Sequence, residues 1–183
     1  MMPKLATVVL LGILLAGCQQ TPVRDEESSR SRVTVGSTLT LNKPLVVPAG
    51  HARVFLQYGK VREKVRLKRY HPHCNFEVNA VSDGTLRIEP GEFFVTDLSV
   101  DEEEVVRRSG PLRYAALQLS DDGDMAPQIA LLIHHKLHAE GQPQVMRLTC
   151  HGGFADPWQA EYPSVSAIRE ALGEWVTLEL ADR

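Results

Sequence analysis

Histidine and cysteine are the side chains whose grouping in this chain could support chemistry. They cluster as His71-Pro72-His73-Cys74, as His134-His135-x-x-His138 and as Cys150-His151. Imidazole is a common ligand of zinc and copper, so each cluster is a candidate piece of a metal site. The 134/138 spacing suits a helical ligand pair, because residues i and i+4 share a helix face. Residues 128–138, however, alternate as a strand better than they repeat as a helix. On a strand these two histidines stand about 13 Å apart, too far for one ion with bonds of about 2.1 Å. The segment also lacks the glutamate of an HExxH zinc helix.

Three other groupings invite a chemical reading. His151-Gly152-Gly153-Phe154 resembles the HGG oxyanion loop of some esterases, where glycine amides stabilise a developing negative charge. No GxSxG nucleophile elbow accompanies it, so hydrolysis through residues 151–154 stands as an alternative only. Asp121-Asp122-Gly123-Asp124 gathers carboxylates of the kind that bind calcium, without the EF-hand spacing or its terminal glutamate; a solvated turn explains it as well. Trp158 and Tyr162, set near Pro157 and Pro163, form an aromatic patch. If exposed, it is a candidate contact for a partner or glycan.

The elements that must position these groups read mostly as strands. Short alternating runs recur, broken by Pro48-Ala49-Gly50, Asp83-Gly84, Pro90-Gly91 and Gly141-Gln142-Pro143. Expected strands cover 37–41, 45–47, 51–58, 65–70, 74–81, 86–88, 93–100, 114–119, 129–138, 145–150 and 175–180. The fold class is therefore mainly β: an antiparallel sandwich or barrel-like domain of about eight to ten short strands. A C-terminal helix is expected over 164–172. Ser164 can cap it, Val165, Ile168 and Leu172 share a face, and Gly173 suits the stop. A second helix is suggested over 101–108, where acidic residues lead and basic ones follow.

The amino terminus carries the most specific pattern. One basic residue, Lys4, precedes an apolar run from Leu5 to Ala16, followed by Gly17 and Cys18. As a helix this run spans roughly 18 Å, short of the ~30 Å hydrocarbon core. It is a signal-peptide h-region by length. Leu15-Ala16-Gly17-Cys18 resembles the lipobox of bacterial lipoprotein signal peptides. The resemblance covers residues 1–20. It implies cleavage before Cys18 and fatty acylation of that residue, and two or more chains make a stable anchor. Gln19, rather than aspartate, after the cysteine implies outer-membrane sorting in enteric-type bacteria, with the protein facing the periplasm. Residues 18–33 are polar and highly charged and read as a flexible tether. Residues 34–183 read as one β-rich domain.

Export favours disulfide formation. Cys74 shares its period-2 face with Phe76 and Val78, and Cys150 shares its face with Met146 and Leu148. Both sulfurs should point into one core and pair. If they join neighbouring antiparallel strands, His73 and His151 fall opposite each other on the outer face. His71 would then join them as a candidate zinc or copper site. The formal charge is −3 and becomes −4 once Lys4 is removed with residues 1–17. No basic face dominates, so nucleic acid is not an expected partner. The locally basic run 60–69 (KVREKVRLKR) suits a solvated strand side, or contact with lipid A phosphates or another anionic envelope polymer. The combined expectation is a membrane-anchored envelope lipoprotein. It would bind or scaffold an envelope protein or cell-wall polymer without catalysis and without a cofactor beyond its covalent lipid. Metal binding and hydrolysis are the alternatives.

Overall fold

A computed structural model describes residues 25–105 and 127–181. Among these residues there are ten strands: β1 (Thr38–Leu41), β2 (Leu45–Val47), β3 (Arg53–Gln57), β4 (Lys60–Arg62), β5 (His73–Val78), β6 (Leu86–Ile88), β7 (Gly91–Glu104), β8 (Ile129–His138), β9 (Val145–His151) and β10 (Val176–Glu179). One helix, α1 (Val165–Leu172), precedes β10. Eight strands form one antiparallel sheet in the order β10-β1-β7-β8-β9-β5-β3-β4, curled into a half-barrel; β2 and β6 pair apart from it. The mainly β class and the lone C-terminal helix match the sequence reading.

Each element has a local cause. Ser164 caps α1 by accepting a hydrogen bond from the Ala167 amide at 3.2 Å. Gly173, at φ 54°, ends the helix in a conformation that strains other residues. The β3–β4 hairpin turns through Tyr58 and Gly59, both at positive φ, as a two-residue hairpin loop with the sheet's own twist demands. Apolar positions of β3, β5 and β9 alternate onto one face and meet Val165, Ile168, Ala171 and Leu172 of α1. Phe76, Leu56, Leu148 and Ile168 are sealed from solvent there. Burying each contributes roughly 2 kcal/mol.

Several expectations need correction. Residues 101–104 continue β7 instead of starting a helix, because Asp101–Glu104 pair with residues 129–132 of β8; that pairing outweighs the helix-like charge order. Residues 65–70 are not a strand. The strand comes earlier, at β4, and Lys64–Arg66 form a 3-10 turn. The expected strand 114–119 and the acidic loop 121–124 lie outside the described residues, as do Cys18 and the tether up to residue 24. From Asp25 onward the proposed tether is packed down. Glu26 pairs with Arg169 at 2.9 Å, the Ser166 amide donates to the Glu26 carbonyl, and Val33 is buried in the core. The partners of Glu26 lie on α1, far away in sequence, so local composition does not report them.

Candidate functional site

Strand β5 is buried on both faces. One face carries Cys74, Phe76 and Val78 into the core, as their alternation requires. The disulfide Cys74–Cys150 forms there, directly across the β5–β9 ladder. The other face carries His73, Asn75 and Glu77, which read as solvated in the sequence but are all less than a tenth exposed. Adjacent registers place His151, Thr149 and Arg147 of β9 opposite them, with Arg53 of β3 on the far side of Glu77.

His73 and His151 face each other with ring centroids 4.4 Å apart and planes inclined by 8°. The register expected from the disulfide thus holds, but the pair is buried instead of lying on an open surface. The Asn75 side-chain amide donates to His151 Nε2 at 3.4 Å. This leaves the proton on His151 Nδ1, which faces a Glu103 carboxylate oxygen at 3.5 Å, longer than a hydrogen bond. Among the described residues, Nδ1 of His73, Nδ1 of His151 and Oδ1 of Asn75 have no hydrogen-bond partner. Each such orphan costs about 1–3 kcal/mol.

Burial sets the charge state. Desolvation lowers the pKa of His73 to about 4; the nearby His71 backbone carbonyl pulls the other way, and Lys64 adds to the lowering. It lowers that of His151 to about 3, helped by His73 and Arg53. Both rings are neutral at pH 7, and each can donate through one nitrogen and accept through the other. Glu77 is the fixed charge of the face. Burial alone would raise its pKa, but bonds from Arg147 at 2.6 Å and Arg53 at 2.8 Å outweigh that and hold it low. His134 lies on the same face and shares a 2.8 Å bond with Thr149.

The histidine pair forms part of the wall of a cavity of about 350 Å³. Lys64 and Arg69 line one side, from the segment after β4. Glu103 and Glu104 line another, from the end of β7, while Phe55 and Phe154 add aromatic surface. No serine, threonine or cysteine is among the described lining residues. The cleft offers neutral hydrogen-bonding nitrogens, charges of both signs and aromatic faces, a set suited to holding a polar ligand.

The metal triad is not assembled. His71 sits in the turn before β5, exposed, with its ring 5.7 Å from that of Tyr58. Pro72 keeps it off the strand, which starts at His73. Among the described residues no group of three metal-binding side chains converges. His134 and His138 lie along β8, at the strand spacing that separates them.

The 151–154 loop has a steric explanation. A Cβ on Gly152 would lie 2.2 Å from the Glu161 carbonyl oxygen, and one on Gly153 would lie 2.4 Å from that of Tyr70. The amides of Gly152 and Phe154 already donate to Leu131 and Arg69 carbonyls, so they are not free to hold an oxyanion. Tyr162 is covered by the Arg32 guanidinium, 4.2 Å from its ring centroid, whereas Trp158 is 74 % exposed. The two do not act as one open patch.

Sequence reasoning named His135 only within the 134–138 cluster, yet it is fully buried on the core face of β8. Its Nδ1 donates to the Leu148 carbonyl at 3.2 Å, and burial lowers its pKa to about 4. Its signal was the period-2 spacing at the end of β8, which puts residue 135 in line with Ile133 and Leu137. No protein-family model matches the chain, and no curated protein or solved structure is significantly similar to it.

Proposed function

We propose that this chain is a lipid-anchored envelope lipoprotein, sorted to the outer membrane and facing the periplasm, that binds a ligand without transforming it. The observation that carries the envelope assignment is the Cys74–Cys150 disulfide. Such bonds persist where export has delivered a chain to an oxidising compartment. It agrees with the Leu15-Ala16-Gly17-Cys18 pattern, which makes Cys18 the acylated residue.

The cleft beside His73 and His151 supports the binding role. Buried polar atoms without partners are rare in folded proteins and call for a reason. A polar ligand entering the cleft would satisfy the orphaned Nδ1 atoms, between the basic side of Lys64 and Arg69 and the acidic side of Glu103 and Glu104. A fragment of cell-wall polymer or a polar segment of an envelope protein has this chemistry.

Two measurements test the reading. Fractionation of cells should place the wild type with membranes and release Cys18→Ser into the soluble fraction; an unchanged distribution counts against the anchor. Nitrogen-15 resonances of the His73 and His151 rings, followed during titration with solubilised cell-wall fragments, should shift together. Unmoved resonances, with cell-wall fragments and with crosslinked envelope proteins alike, remove the cleft from the binding role.

A further inference from the structure

We infer that the face of the domain next to its amino-terminal end docks on the anionic bilayer that holds the anchor, through the basic segment 60–70 and Trp158. This rests on the reading that Cys18 is acylated. Seven Cα-to-Cα steps separate Cys18 from Asp25, the first described residue. Fully extended, they reach roughly 24 Å. Asp25 is therefore held close to the lipid surface, and so is whatever surrounds it, because the following residues are fixed to the domain by Glu26–Arg169 and by Arg32 over Tyr162.

Beside it lie the loop 152–163 and Tyr70, which ends the basic segment 60–70. Glu27 and Ser29 line the same depression as Tyr70, Gln159 and Tyr162. The 60–70 segment is tied to the glycine loop by the Phe154 amide bonding to the Arg69 carbonyl at 2.9 Å. Residues 60–70 hold Lys60, Arg62, Lys64, Arg66, Lys68 and Arg69 against a single carboxylate, Glu63. Apolar groups project beside these cations. Val65 is 89 % exposed at the tip of the 3-10 turn, Tyr70 is 59 % exposed, and Trp158 stands in the turn closed by the Gln159 amide on the Asp156 carbonyl.

Isolated exposed side chains need no explanation, but this combination has a consistent one. Clustered lysine and arginine are drawn to anionic headgroups within a Debye length. Tryptophan and tyrosine favour the headgroup layer, with an apolar ring and a polar edge. The anchor restricts the domain to that layer, so weak individual contacts act at high effective concentration. The outcome is a fixed orientation of the domain on the membrane.

The test uses mature protein purified from membranes and incorporated into phosphatidylcholine vesicles with or without phosphatidylglycerol, the acyl chains carrying bromine as a fluorescence quencher. The chain has two tryptophans, so Trp158→Phe isolates the signal of Trp158 from that of Trp175, which donates to the Gly59 carbonyl. Quenching of Trp158 should appear with phosphatidylglycerol and fade with added salt. Neutralising Lys60, Arg66 and Lys68 together, as Lys60→Gln, Arg66→Gln and Lys68→Gln, should shift the docked-to-free ratio by about fivefold per cation. Near-ultraviolet circular dichroism checks that the variant is folded. Protein that floats with the vesicles and carries acyl chains, yet shows no Trp158 quenching, overturns the docking while leaving the anchor intact. Protein that carries no acyl chain and does not float overturns both.

Discussion

The imidazoles of His73 and His151 lie parallel at 4.4 Å, across the strand pair that also carries the Cys74–Cys150 bond. One register thus sets two features on opposite faces: a covalent tie in the core and a neutral histidine stack in a cleft. The stack exists because β5 is covered on its second side by the segment after β4 and by the end of β7. Its neutrality follows from that cover, since desolvation is the main cause of both lowered pKa values.

Stability should fall with acid in a defined window. His73 and His135 keep pKa values of about 4, and His151 of about 3, against 6.5 in the unfolded chain. Between these values the unfolded chain takes up protons that the folded chain refuses, so stability drops as pH falls from 6.5 toward 4, continues to fall toward 3 through His151, and then levels off for these groups. For fully buried His135 the shift corresponds to roughly 3 kcal/mol. Glu77 adds a further loss below 4.5, its ordinary value, because its folded pKa is lowered. Urea unfolding at a series of pH values measures the slope, and His135→Leu should make it shallower. An unchanged slope in that variant contradicts the assignment.

The disulfide should contribute stability through the length of its loop. It spans a sequence separation of 76 residues, and closing such a loop is worth roughly 4 kcal/mol in the chain-entropy description. The Cys74→Ala, Cys150→Ala double variant should show that loss in denaturant unfolding. A loss below about 1 kcal/mol would mean that the reduced unfolded chain is already constrained.

Glu77 should be the least replaceable polar residue of the site. Its carboxylate accepts from both Arg53 and Arg147. Glu77→Ala leaves two guanidiniums facing each other without their anion. Arg53 is about half exposed and keeps some hydration, so a cost of about 2 kcal/mol is expected. Thermal unfolding beside Arg53→Ala and the double variant measures the coupling, and purely additive losses would contradict a shared clamp.

The glycines of the 151–154 loop should fail for steric reasons. Gly152→Ala forces a carbon toward the Glu161 carbonyl oxygen and Gly153→Ala toward that of Tyr70. Each should cost about 2–3 kcal/mol of stability, read by thermal unfolding. Full stability in either variant would show that the loop has room that the structure does not give it.

The core face of the site was legible in the sequence because alternation is a local signal. Cys74-x-Phe76-x-Val78 announces which way the sulfur points, and the pairing with Cys150 follows from a matching pattern. The second face was not legible for the same reason. His73, Asn75 and Glu77 carry the polarity of a solvated side, and what covers that side comes from Lys64, Arg69 and Glu103 beside His73 and from Arg53 and Arg147 on Glu77, none of them adjacent in sequence. The 101–104 stretch shows the same limit: its charge order favours a helix, and only the pairing with residues 129–132 makes it strand. Gly152 and Gly153 looked like chemistry because close backbone approach leaves the same trace in a sequence as an oxyanion loop.

Intact mass of the unreduced protein purified from membranes tests the envelope assignment most directly. The expected species begins at residue 18, carries fatty acyl groups on its first peptide, and weighs two hydrogens less than the acylated chain with free thiols at Cys74 and Cys150. A species that retains residues 1–17, or one whose Cys18 bears no acyl group, would contradict it.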